Sequence, residues 1–146
     1  MRPGKDSIFW AWHTDHKSSA ILYYAAGKLV KVKEIARYGN SFCENNYYLK
    51  DGHLLFVAER QVSCSLDQQR AIWLKNAPVC TSEKDCFFRG SYFFVADSCI
   101  AKQEHGERQL EPEGYPGYKP GTLSQFLPLQ AARYVAAFSK APVQKK

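Results

Sequence analysis

Three stretches of this chain align without gaps on a short turn. Residues 22–32 read LYYAAGKLVKV, residues 47–57 read YYLKDGHLLFV, and residues 92–102 read YFFVADSCIAK. Each has an aromatic-rich arm, a small or polar pair, and a second apolar arm. Aromatic and β-branched arms around such a pair mark a β-hairpin, because a two-residue type I′ turn needs positive φ at both central positions. Asp51-Gly52 fits that demand best and Ala26-Gly27 fits it less well. Ala96-Asp97 has no glycine and is expected to need a longer loop. With a two-residue turn, Leu49 is expected to face Leu54, and Tyr48 to face Leu55. The equivalent pairs are Tyr24 with Leu29, Tyr23 with Val30, Phe94 with Cys99 and Phe93 with Ile100. Cross-strand pairs of this kind contribute roughly 0.2–1 kcal/mol each. The copies lie 25 and then 45 residues apart, which excludes a solenoid of fixed period.

Apolar residues fall on both faces of these arms, so the sheet is expected to be covered in part on both sides. Residues 8–12 are expected to form a strand that leads through HTDHKS into the first hairpin. Residues 28–37 read as a long strand and residues 41–50 as its antiparallel partner, linked by YGN. Ser65 followed by Gln68 fits a capping box and predicts a short helix over 66–75, although AIWLK also fits a strand. Residues 111–123, EPEGYPGYKPGTL, read as an extended surface loop. Pro128 suits the first turn of a final helix, with Leu127, Ala131, Tyr134, Val135 and Phe138 on one stripe. Residues 141–146 are expected to fray.

These elements predict a single domain over residues 1–146 with its core within about 7–140. The expected fold class is α+β, mainly β: a curved antiparallel β-meander of repeated hairpins packed by a C-terminal helix. The composition, 45% hydrophobic and 14% aromatic, supports a real core. A chain of this length buries roughly 70% of its unfolded surface.

Net charge is +6, which favours acidic partners without fixing a function. No apolar run approaches the roughly 20 residues of a membrane span. MRPGKDS is followed by no apolar signal region, so the expectation is either a cytoplasmic chain or a start placed after a removed leader.

Candidate sites are few. His13, Asp15 and His16 sit together in HTDH, but on a strand or turn the imidazoles point apart, and a metal needs three or four converging ligands. No metal or cofactor is expected. Among five cysteines, Cys80 and Cys86 bracket TSEKD, and a bridge there would contribute a little under ~3 kcal/mol, with Cys64 an alternative partner. Cys99 takes an apolar repeat position and reads as a buried thiol. Nothing sets His53 or His105 beside a cysteine as nucleophilic chemistry requires. Glu111 and Glu113 fall in the Pro/Gly loop rather than on the rigid elements that paired catalytic carboxyls need. No catalytic residues are assigned, and the expectation leans away from an enzyme.

Lys31 and Lys33 share a strand face, and aromatics on a sheet can stack bases. No RNP-type motif accompanies them, and hairpin cores account for the rings, so nucleic acid is not the expected partner. Trp10, Trp12, Tyr115 and Tyr118 are the best candidates for a protein-contact patch, against a core role for the tryptophans.

Tyr-Tyr-x-x-Asp-Gly-x-Leu at 47–54 resembles hairpins of uncharacterised exported bacterial proteins and lipoproteins, in which segments like YYFKDGKL recur within an antiparallel sheet. The likeness covers about 33 residues, and the third window departs most, with Cys99 where Leu is usual. It implies a periplasmic, cell-envelope or secreted setting and no known catalysis. The leading expectation is a non-catalytic module binding a protein partner, with an inhibitor or immunity-type role within that class. The alternatives are a small-ligand binder or enzyme with its pocket in the sheet's concavity, and then an RNA-binding sheet.

Overall fold

A computed structural model describes residues 7–12, 18–38, 41–63, 86–110, 119 and 121–138. Asp51 and Gly52 have φ of +52° and +80°, and Ala26 and Gly27 have +51° and +78°. Ala96 and Asp97 follow suit at +49° and +65°. All three pairs are therefore two-residue turns of the primed type, whose twist matches that of the flanking strands. The longer loop expected at Ala96-Asp97 is corrected: two non-glycine residues accept the left-handed region there.

The strands are β1 (Ser7–Trp12), β2 (Ser18–Ala25), β3 (Lys28–Tyr38), β4 (Ser41–Lys50), β5 (His53–Ser63), β6 (Cys86–Val95) and β7 (Ser98–Gly106). Among the described residues they form one seven-stranded antiparallel sheet in chain order, with β1 and β7 at its ends. Each repeated hairpin, β2–β3, β4–β5 and β6–β7, departs from expectation in the same way. Leu49 pairs with Leu54 as expected, but Tyr48 pairs with Phe56, not Leu55. Tyr23 pairs with Lys31, not Val30, and Phe93 with Ala101, not Ile100. A β-bulge at the third residue after each turn inserts Val30, Leu55 or Ile100 as an extra residue. Such bulges accentuate strand twist and re-aim the residues beyond them.

Helix α1 (Leu123–Phe138) packs on one face, across β3, β5 and β7. The Thr122 carbonyl accepts from the amides of Gln125 and Phe126 at 3.0 and 2.9 Å, so Thr122 caps the helix. The helix thus begins five residues before Pro128. Pro128 lies inside it, not in its first turn, and is buried against the sheet. The expected stripe of Leu127, Ala131 and Tyr134 is buried, joined by Phe126 and Gln130. Val135 and Phe138 are partly buried against the same core.

The inner core comprises Leu22, Tyr24, Leu29, Val32, Tyr47, Leu49, Leu54, Val57, Tyr92 and Phe94 beneath that helix face. A smaller cluster, Ile35, Phe42 and Val62 with Cys86 against it, is buried separately. No helix among the described residues is long and apolar enough to cross a membrane. The helix expected at 66–75, most of the surface loop expected at 111–123 and the tail at 141–146 lie outside the described residues.

Candidate functional site

Register places each inner-face residue in a row across the sheet. One row runs Ala20, Glu34, Asn45, Glu59, Gly90, Glu104. Glu34, Glu59 and Glu104 stand eight residues after the first turn residue of the three hairpins, Ala26, Asp51 and Ala96. The glutamate is thus part of the repeat. Tyr47 of the second hairpin donates to Glu34 of the first at 3.0 Å, and Tyr92 of the third reaches Glu59 of the second at 3.0 Å.

Glu34 is sealed between sheet and helix. It accepts from Tyr47, from Tyr134, and from Gln130 at 2.8 Å. Burial pushes its carboxyl up, and the hydrogen bonds from Tyr134, Gln130, Tyr47 and Asn45 only partly oppose this. Gln130 in turn accepts from Arg133 at 3.1 Å.

Glu59 is held differently. Arg108 binds both its oxygens, through Nη1 at 2.7 Å and through Nη2. The guanidinium also lies 4.5 Å from the Phe88 ring centroid and 3.7 Å from Glu104. The Tyr92 hydroxyl stands 3.0 Å from both Glu59 and Glu104. Burial, then the Glu59 charge, pushes the Tyr92 phenol well up, so it remains a hydrogen-bond donor. Cys43 donates to Glu59 at 3.3 Å, and burial with the Glu59 charge drives its thiol well above the usual range. Such a thiol is an inert one.

Gly106 ends β7 with φ +88°, and a Cβ there would lie 2.1 Å from the Phe87 carbonyl oxygen. The chain turns at that glycine and crosses back under β6. The fully buried Gln61 receives it: its Oε1 accepts from the Gln109 and Leu110 amides at 3.0 Å, and its Nε2 donates to Leu110 O at 2.7 Å. This arm carries Arg108 onto Glu59.

An open cleft of about 180 Å³ reaches the outer edge of this network, lined by Tyr92, Lys102, Glu104, Arg108, Gly121, Leu123 and Ser124. Its carboxylate and phenol are both engaged in the network, so the cleft presents bonded groups rather than an activated base or nucleophile. Among the described residues, no three His, Cys, Asp or Glu side chains converge as a metal site would need.

The outer face, opposite α1, is built otherwise. Tyr23, Lys31, Tyr48, Phe56 and Phe93 form one register row across β2 to β6. Lys31 lies over the Tyr23 and Tyr48 rings, 5.1 and 5.3 Å from their centroids. Phe56 tilts against Tyr48 and Phe93 at 5.6 and 4.8 Å. Phe93 is 40% exposed and Tyr48 37%, and beside them Leu55, Val95 and Ile100 are 46, 59 and 64% exposed. The bulges contribute Leu55 and Ile100 to this band. Farther along the face, Glu44 accepts from Asn46 at 2.9 Å and Arg60 at 3.2 Å, with Lys33 at 3.8 Å. Burial pushes the Glu44 carboxyl up, but Asn46, Lys33 and Arg60 together outweigh it and hold it below its ordinary value.

Trp10 and Trp12 lie on β1 opposite Ala20 and Ser18. Tyr115, Tyr118, Glu111, Glu113, the HTDH segment, Cys64 and Cys80 lie outside the described residues. Cys86 is a free thiol, as are Cys43 and Cys99, and it donates to Phe88 O at 3.3 Å. That acceptor lies two residues along its own strand, and Cys80, the expected bridge partner, is outside the described residues. Cys99 is half-buried opposite Phe94 rather than fully buried. Sequence reasoning missed the glutamates: the aligned windows stop at Val32, Val57 and Lys102, two residues short of them. No family model, no curated protein and no solved structure matches this chain.

Proposed function

We propose that this chain is a non-catalytic protein-binding module that docks its partner on the outer face of the sheet, at the end near the turns of β4–β5 and β6–β7. The observation that carries this reading is the exposed band of Tyr48, Phe93, Leu55, Val95 and Ile100 around the Lys31-centred aromatic row. Contiguous exposed apolar surface containing aromatic rings is typical of protein interfaces, where such rings supply much of the binding energy. The inner face supports the same reading from the other side, because its carboxylates and tyrosines are consumed in fastening α1 and the 107–110 arm to the sheet. The hairpins' likeness to those of exported bacterial proteins extends the proposal to a partner met at the cell envelope or outside it, with an inhibitor or immunity-type role within that class.

The test compares wild-type protein with Phe93→Glu and Ile100→Glu as bait in lysate. Ile100 is 64% exposed, so thermal stability of Ile100→Glu should change little, while Phe93→Glu also gives up the ring contact with Phe56. The expected outcome is loss of a stoichiometric protein partner from both variants and its retention by Leu129→Glu, an exposed helix substitution. A partner captured equally by all four proteins would overturn the reading.

A further inference from the structure

We propose that β7 is a pairing edge for a second copy of this chain, and that two β7 strands join antiparallel about a two-fold axis at Gln103. Two observations carry this, both independent of the outer-face reading. The first is the repeat. In each of the first two hairpins the second strand is covered by the next hairpin's first strand, β3 by β4 and β5 by β6. β7 is the third strand of this type and, among the described residues, ends the sheet. The second is charge. At the repeat position where β3 and β5 carry the buried Val32 and Val57, β7 carries Lys102, whose side chain is 62% exposed. Glu104 follows two residues later on the same face, 3.8 Å away.

Edge charges oppose association when like meets like. The order Lys-x-Glu has a different consequence for a strand that meets its own copy. With Gln103 opposite Gln103 of the second copy, each Lys102 stands opposite a Glu104 and each Glu104 opposite a Lys102. A two-fold interface is self-complementary in this way, and unlike charges directly opposite each other stabilise antiparallel pairing. Shifting the axis by one residue to Lys102 sets lysine against lysine, so charge also selects the register.

The test measures molecular mass against concentration by light scattering and sedimentation. Wild type is expected to dimerise, more weakly as salt rises. Lys102→Glu, at an exposed site, is expected to weaken dimerisation by about tenfold or more, because both cross-strand pairs become repulsive. Glu104→Lys alone is expected to do the same. Mixing the two variants should restore a heterodimer, since each strand then meets its charge complement. The double variant K102E/E104K should regain the homodimer. A wild-type protein monomeric into the millimolar range overturns the proposal, as does a dimer that Lys102→Glu leaves unchanged. Should Glu104→Lys disturb the contacts of Glu104 with Tyr92 and Arg108 and fail to fold, Lys102→Glu with its salt dependence still decides.

Discussion

Gly90 stands between Glu59 and Glu104 in the inner-face row, and Tyr92 occupies the space a side chain there would take. A Cβ on Gly90 would lie 2.5 Å from the Tyr92 hydroxyl and 2.8 Å from its ring. That vacancy lets one phenol reach both carboxylates. Gly90→Ala is therefore expected to cost about 1–3 kcal/mol, as overpacking does in a core. The cost should fall by more than half in a Tyr92→Leu background, because the clash is with the ring's far end; urea denaturation of the four proteins measures this coupling. Arg108 acts on the same cluster through charge. Glu59 is 3% and Arg108 14% exposed at the side chain. Removing the cation with Arg108→Met leaves a buried carboxylate uncompensated, at about 3–5 kcal/mol near neutral pH. Urea denaturation of the variant beside wild type at neutral pH measures the loss.

Among the elements, the third hairpin is the least well matched to its turn. Ala96 and Asp97 both adopt positive φ, where an L side chain costs roughly 1–2 kcal/mol and where Asn-Gly is preferred. Ala96→Asn together with Asp97→Gly is expected to stabilise the protein by about 0.5–1 kcal/mol, read as a raised melting temperature. All three hairpins were legible from their aromatic arms and small central pairs. Their bulges were not, because Leu54 and Leu55 are both apolar and either fits the inward position, so composition leaves no mark of the extra residue. The helix stripe was legible, but its start was misplaced because Pro128 resembles a first-turn proline; Thr122 is the residue that caps. The glutamate of each repeat was visible in principle, two residues past each aligned window. Arg108 was not: its partner Glu59 lies 49 residues away, and only the reversal at Gly106 and the grip of Gln61 bring them together.

At the scale of the molecule, one buried carboxyl joins three parts of the structure. Glu34 leaves β3 and meets Tyr47 from β4 and Tyr134 and Gln130 from α1. The same helix is tied at its far end, where Tyr24 donates to Phe138 O at 2.7 Å. Glu34 has a raised pKa, so the folded protein holds its proton at pH values where the unfolded chain has released it. Its contribution to stability is fully present below the ordinary carboxyl value of 4.5 and is lost as pH rises through the raised one. Glu44 works in the opposite sense: its lowered pKa gives a contribution present above 4.5 and lost as pH falls through the folded value. The two windows lie on either side of the ordinary value, which makes them separable. Glu34→Gln keeps the size of the side chain and can still accept from Tyr134, but it cannot ionise. Its melting temperature should be insensitive to pH in the window above 4.5 where wild type declines, while the acid-side loss from Glu44 persists in both proteins. Aromatic circular dichroism reads the event at its source, because Tyr47 and Tyr134 lie 5.9 Å apart across the sheet–helix junction. Equal slopes for wild type and Glu34→Gln above 4.5 would show that the helix is not fastened through a protonated Glu34.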